Sequence, residues 1–328
     1  MTDIKYDKTK YGIPYMGSKK KLAKKIVDYI VENNPNMKYF YDLFGGGGAI
    51  SFEMLKRPGI KVIYNEFDPA IVNLIKKIRD YSVTEEFYQW IDRDEFKKYK
   101  NGDDWFSGMV KTCWSFGNRG RTYLYGKNIE HYKKLIHNVV VNKCQKSADE
   151  LNEHFKTSIN VEDIEGETLN ERRLFLQRFF TKTVNNKEIF RGIFCIEKGN
   201  ISNILQHLER LQHLECLQHL ERLQHLELLN KSYDKVILDT PINETIIYCD
   251  PPYKNTGKYQ NNIDHNRFDE WVENNPCKVY VSEYNSKFNE VMTWRTRSTM
   301  SATNNKKTTE KLYCNRKELQ KRKTMELF

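Results

Sequence analysis

The chain has 328 residues, with 54 Lys+Arg against 44 Asp+Glu, a net charge of +10 and 20 tyrosines. That length can bury one large core, or a core plus an inserted domain. No run of about 20 apolar residues occurs, so no membrane span is expected, and residues 1–11 are polar and mixed in charge, unlike an ordinary secretory signal. The seven cysteines, at 113, 144, 195, 216, 249, 277 and 314, show no paired spacing. They read as reduced thiols of a cytosolic protein, and without a Cys-x-x-Cys no zinc site is expected.

In chain order, the pattern predicts a helix over 20–32, a strand over 37–44, a helix from Ser51 to Lys56, a strand over 61–64 and a helix over 70–79. These are the first βαβ units of a doubly wound sheet. Gly45-Gly46-Gly47-Gly48 lies between the first strand and its helix. Glycines there let the backbone approach a ligand closely. No Gly-Lys-Ser/Thr follows, which argues against a triphosphate loop. A dinucleotide fingerprint would need a third glycine where Ile50 stands. What remains is a nucleoside without a pyrophosphate, such as S-adenosylmethionine. Glu66, about 20 residues past the glycines, suits the ribose hydroxyls best, with Asp68 second.

Residues 86–200 lack regular βα alternation. They carry Trp90, Trp105, Trp114, Tyr123 and Tyr125 beside Arg119, Arg121, Lys127, Lys133 and Lys134. Cations interleaved with aromatics suit phosphate contact and a distorted duplex. The plain alternative is a helical insert with an aromatic core. Both readings hold together if the tryptophans lie inside and the 115–127 loop, with Asn118, Arg119, Arg121 and Lys127, meets DNA.

Residues 205–228 are four hexads, LQHLER, LQHLEC, LQHLER and LQHLEL, a twelve-residue unit nearly duplicated. A leucine at every third position drifts backward 60° per step on an α-helix, so this is no zipper. A winding helix, a helix with 3₁₀ stretches or a small solenoid would each fit. His207, His213, His219 and His225 point in three directions on a helix and read as bystanders of the repeat. Such regularity points to tandem duplication and predicts copy number that varies between strains.

Strand-like runs resume at 235–238, 245–249 and 278–282. The second of these, Thr245–Cys249, is β-branched and apolar enough for a buried parallel strand. It runs into Asp250-Pro251-Pro252-Tyr253. A carboxylate and the Pro251 carbonyl can accept both N–H bonds of an exocyclic amine, proline fixes the carbonyl's angle, and Tyr253 offers a face for an extruded base. Alone, the tetrapeptide could be a strand-ending turn.

Taken with the glycine motif, the sequence resembles the Dam-like, D12-class, phage-type DNA adenine-N6 methyltransferases over most of its length. Asp42-Leu43-Phe44-Gly45-Gly46-Gly47, Asn65-Glu66 (where the family usually has Asp) and Asp250-Pro251-Pro252-Tyr253 carry the resemblance. Pro14–Leu22, Cys113–Asn118, Lys278–Asn285 and Asn305–Leu312 support it. The resemblance implies a Rossmann-like α/β methyltransferase sheet with an inserted, mainly helical target-recognition region. Residues 1–85 and 201–328 would form the catalytic domain and 86–200 the insert. It also implies S-adenosylmethionine as cofactor, held by Tyr15, Met16, Gly17, Ser18, Lys19, Asp42, Phe44, Gly45, Gly47, Glu66 and Asp250, with Asp250, Pro251, Pro252 and Tyr253 catalytic. Double-stranded DNA is the implied partner, with room for a restriction endonuclease beside it. Ser at position 250 would favour cytosine N4, and Asn would include glutamine methylation; Asp argues for adenine. The rival from another class is an RNA-directed or non-catalytic protein on the same scaffold, using the leucine repeat as its working surface.

Overall fold

The computed structural model describes residues 11–183, 193–197, 200–202, 204–253, 263–297, 307–316 and 324–325. Asn305 and Lys306 of the closing motif lie outside them. Among the described residues the helices are α1 (Ala23–Glu32), α2 (Ala49–Leu55), α3 (Pro69–Tyr81), α4 (Arg93–Tyr99), α5 (Trp105–Cys113), α6 (Lys127–Asn142), α7 (Gln145–Phe155), α8 (Leu169–Thr183), α9 (Gln206–Gln218) and α10 (His265–Asn274). The strands are β1 (Tyr39–Asp42), β2 (Lys61–Asn65), β3 (Cys195–Glu197), β4 (Asn200–Ser202), β5 (Glu227–Leu229), β6 (Thr245–Cys249), β7 (Lys278–Glu283), β8 (Asn289–Arg297), β9 (Lys307–Cys314) and β10 (Thr324–Met325). The chain packs as two compact units, the first holding residues 18–72 and 220–328, the second 12–17 and 73–219.

The first unit is built on an eight-stranded sheet in the order β10-β8-β9-β7-β6-β1-β2-β5. β5, β2, β1, β6 and β7 run parallel, and β9 turns antiparallel against β7. Every residue of β6 is buried, as a parallel strand covered on both faces requires. Alternation sorts the faces. Tyr41, Ile247, Val279 and Val281 join Phe268 and Val272 of α10 in one cluster. On the other side, Tyr280 meets Tyr29 of α1 edge-on at 6.3 Å. α1 buries Ala23, Ile26, Val27 and Ile30, the i, i+3, i+4, i+7 stripe of an amphipathic helix.

One predicted strand is corrected. Residues 235–238 form no strand: a 3₁₀ turn covers Tyr233–Lys235, and β2 pairs instead with β5, from the repeat's last residues. Val236 and Leu238 pack on the core cluster while Ile237 is 73% exposed. The alternation is therefore that of an extended segment lying over the core without a ladder partner.

The second unit is mainly helical, with the β3–β4 hairpin. Trp114, Tyr123 and Tyr125 are buried in it, with the Trp90 ring 5.1 Å from Trp114 and 5.9 Å from Tyr125. Lys133, read from sequence as a phosphate-facing cation, is corrected: it is buried and its ammonium donates to the Ile204 carbonyl at 2.8 Å.

The repeat splits between conformations. Its first half forms α9, a 3₁₀ turn covers Leu223–His225, and β5 begins at Glu227. All eight leucines from Leu205 to Leu226 are buried. A stripe drifting around α9 can be buried only if the helix is enclosed, and α9 packs against both α5 and α8. His207 is no bystander but fully buried, whereas His219 and His225 are exposed. Leu211→Ala should cost about 2–5 kcal/mol through the cavity it leaves, and His225→Ala under about 0.5 kcal/mol. Urea unfolding of both variants checks the contrast.

Candidate active site

Parallel strands deliver their carboxyl ends to one edge of a sheet, and ligands of open α/β sheets bind there, where the strand order reverses. In the first unit that reversal falls between β1 and β6, which are paired with Asp42 opposite Tyr248. The turns leaving β1, β2 and β6 carry the glycines, Glu66 and Asp250, respectively.

The glycine turn has specific steric reasons. A Cβ on Gly45 would lie 2.1 Å from the Tyr64 ring, and one on Gly48, at φ +74°, 2.3 Å from the Phe52 ring. The Tyr64 hydroxyl donates to the Gly46 carbonyl at 2.7 Å. The Gly46 N–H donates to Glu66 Oε2 at 2.8 Å and the Asp68 N–H to Oε1 at 3.0 Å. Glu66 is thus fixed by two backbone donors and keeps lone pairs for further ones. Burial nonetheless raises its pKa. Asn65 donates to the Leu43 and Lys231 carbonyls, and Asn230, just past β5, donates to the Glu66 carbonyl at 2.7 Å. Phe44 stacks on Tyr233 at 5.4 Å. Phe67, next to Glu66, is exposed, a flat apolar surface that the sequence alone did not single out.

Asp42 is 1% exposed. Its Oδ2 accepts the Ser51 hydroxyl at 2.7 Å, while Oδ1 is buried with no hydrogen-bond partner among the described residues. Burial, with smaller contributions from Asp250 and Glu66, pushes its pKa up to about 7. A carboxylate with an orphaned oxygen, glycines that keep the turn tight and a backbone-locked acid together fit the amino-acid and ribose ends of S-adenosylmethionine.

Asp250 Oδ2 pairs with Lys19 Nζ at 2.9 Å, and Glu310 Oε2 lies 3.7 Å from the same ammonium. Burial works against the Lys19 charge, but Asp250 and Glu310 outweigh it and hold its pKa above the ordinary value. Burial raises the Asp250 pKa, and Lys19 opposes that rise. Asp250 Oδ1 is buried without a hydrogen-bond partner among the described residues. The Lys19 ammonium sits 4.8 Å from the centre of the Tyr253 ring, and Tyr284 meets that ring edge-on at 4.6 Å. Cys249, one residue before the acid, is buried with its thiol pKa well above the ordinary value, a packing residue as expected. Glu310 and Tyr284 were not singled out as site residues. Both lie in the supporting motifs: Tyr284 reaches this edge at the end of the parallel strand β7, and Glu310 on β9 returning against it.

Ser18 falls in the first unit, and Tyr15, Met16 and Gly17 in the second. In the second unit the 115–123 loop is closed by an antiparallel bridge between Ser115 and Tyr123. Asn118 takes φ +55°, between Gly117 and Gly120, both also positive. Arg121 and Lys127 are exposed and Arg119 is half-buried. Phe116 is 68% exposed at the loop's start.

A search of curated proteins finds no relative that matches the chain. The model of the D12 class N6 adenine-specific DNA methyltransferases matches residues 15–327. A match over nearly the whole chain, on a sheet with these acids at its carboxyl edge, makes this protein a member of that family: an S-adenosylmethionine-dependent, adenine-specific DNA methyltransferase.

Proposed function

We propose that the enzyme works site-specifically on double-stranded DNA and takes its target adenine out of the duplex into the site at Asp250–Tyr253. The observation that carries this reading is the divided carboxylate of Asp250. One oxygen is held by Lys19 and the other is buried without a hydrogen-bond partner among the described residues. An orphaned buried acceptor is costly, and an exocyclic amine would satisfy it.

Extruding the base costs a few kcal/mol of stacking and pairing, which the Tyr253 face offsets in part. Asp250 and the Pro251 carbonyl accept the two N6 hydrogens, and Pro252 stiffens the turn. This geometry withdraws the nitrogen lone pair from the ring, and the carboxylate stabilises positive charge that develops on nitrogen. Lys19, buried between Asp250 and Glu310, opposes the rise that burial imposes on the Asp250 pKa and orients the carboxylate. S-adenosylmethionine supplies the methyl group, carried on a sulfonium. Glu66 would hold its ribose, Gly45 and Gly47 keep the turn close, Asp42 would face its amino-acid end, and Ser18, Lys19 and Phe44 complete the site within the first unit.

Residues 86–200 serve target recognition, with Asn118, Arg119, Arg121 and Lys127 on DNA, a role favoured by the exposed Arg121, Lys127 and Phe116 and by the net charge of +10. A cytoplasmic setting, alone or beside a restriction endonuclease, completes the reading. No described helix is long and apolar enough to cross a membrane.

Asp250→Ala should lower kcat by about 10³-fold, the scale of losing one preorganised transition-state contact, with the fold intact by circular dichroism. Single-molecule sequencing of DNA from expressing cells should show N6-methyladenine at one short motif for the wild type and none for the variant. Equal modification in both would overturn the residue assignment.

Asp42 generates a pH dependence. Its pKa rises on folding from 3.8 to about 7, so the native state favours the neutral form. Its contribution to stability is complete below about pH 4 and is lost as pH rises through about 7. Binding of a cationic ligand reverses the preference. Cofactor affinity measured by calorimetry should therefore tighten as pH rises from about 6 to about 8, with proton release, and Asp42→Asn should flatten the profile.

A further inference from the structure

Arg210 and His207 come from the first hexad of the leucine repeat, and both are buried in the second unit. Arg210 Nη1 donates to the Cys113 carbonyl at 3.1 Å and the Ser115 carbonyl at 2.7 Å. Those carbonyls flank Trp114, where α5 ends and the 115–123 loop begins. Terminal carbonyls of a helix lack intrahelical partners, and a cation is favourable there. One guanidinium therefore closes α5 and fixes the entry to the loop.

His207 fixes the exit. Its ring stacks on Trp114 at 4.0 Å and 22°. Nδ1 hydrogen-bonds the Tyr125 hydroxyl at 2.7 Å, and Nε2 hydrogen-bonds His137 Nδ1 at 2.9 Å. Tyr125 lies just beyond the returning strand of the loop. Between the two anchors, Leu124 donates to the Trp114 carbonyl at 2.9 Å and Phe116 to the Thr122 carbonyl at 2.7 Å. A single turn of α9 thus grips both feet of the loop, whose exposed side chains include Phe116 and Arg121.

We infer that Arg210 and His207 are positioning residues for DNA recognition: the first hexad clamps the 115–123 loop so that it meets DNA already formed. The inference rests on the reading that this loop touches DNA. A loop ordered before binding spares the ordering cost that otherwise weakens an interface. The repeat also supplies an internal control. Arg222, at the same place in the third hexad, belongs to the first unit, where its guanidinium donates to the Arg57 carbonyl at 2.6 Å. The same residue makes the same kind of bond there, on the short turn between α2 and β2 rather than on the 115–123 loop.

The test compares Arg210→Met, Arg210→Lys, His207→Phe, Arg222→Met and Arg121→Ala as full-length proteins, at a temperature well below the lowest melting point. Readouts are melting temperature, cofactor affinity, kcat, and affinity for a duplex carrying the methylated motif against one with a single changed base pair. Arg210→Met and His207→Phe should weaken cognate binding about tenfold or more, on the scale of one lost buried hydrogen-bond anchor, and narrow the cognate-to-changed ratio. Cofactor affinity and kcat at saturating DNA should stay within about twofold of wild type. Arg210→Lys should recover most of the affinity. Arg222→Met should lower the melting temperature without moving the ratio. Should Arg210→Met not fold, His207→Phe, which keeps the stack and drops the links to Tyr125 and His137, carries the test. Wild-type cognate affinity and ratio in the clamp variants, with Arg121→Ala impaired, would overturn the clamp alone. Wild-type binding by Arg121→Ala as well would overturn the DNA-loop reading and the clamp with it.

Discussion

The first unit depends on one buried cation. Parallel strands bring Asp42, Glu66 and Asp250 to a shared edge, and β9 adds Glu310. Packed carboxylates repel one another, and each loses hydration on burial. Lys19, 8% exposed, is the counter-charge placed between two of them. Removing one partner from a buried pair leaves a charge uncompensated, at about 3–5 kcal/mol. Asp42 has no such partner among the described residues and responds differently, its pKa pushed up to about 7. The same edge therefore holds one acid whose ionised form a lysine favours against burial and one poised near neutral pH, and that division follows from which acid has the ammonium beside it.

Much of this was legible in the sequence because the chemistry is local. The β6 strand, the Asp250–Tyr253 turn, the glycine turn and Glu66 are short contiguous segments whose residue types constrain the backbone directly. The extended segment 235–238 misled because alternation reports burial on one side, not a hydrogen-bonded neighbour. Lys133 misled for a similar reason: a lysine in a basic stretch reads as solvated, yet here it caps a buried carbonyl. Glu310 was out of reach because its relevance comes from a long-range antiparallel pairing, and Tyr284 because it depends on where β7 ends beside Tyr253.

The repeat shows most plainly where local information ends. LQHLER occurs twice without a change of residue. In one copy the histidine and arginine are buried in an aromatic core; in the other the histidine is exposed and the arginine half-buried. One copy is helical and the other leads into a 3₁₀ turn. No propensity scale can separate identical hexads, so the surrounding packing must choose their conformation. The leucines are indifferent to that choice, since a period of three presents an apolar side chain whichever way the backbone turns.

The thiols bear on how the enzyme meets oxidants and alkylating agents. Thiolate, not thiol, is the reactive species. Cys249, beside the catalytic acid, is buried with its pKa raised, and Cys113 and Cys277 are buried with theirs raised as well. Cys144, partly exposed at the start of α7, is held below its ordinary pKa, chiefly by the Ser147 hydroxyl and N–H. A thiol-directed reagent is thereby drawn to a helix start in the second unit rather than to the strand that carries the chemistry. Among the described cysteines the partly exposed thiols are Cys144 and Cys216, so a maleimide fluorophore attaches away from the buried active-site sulfur of Cys249.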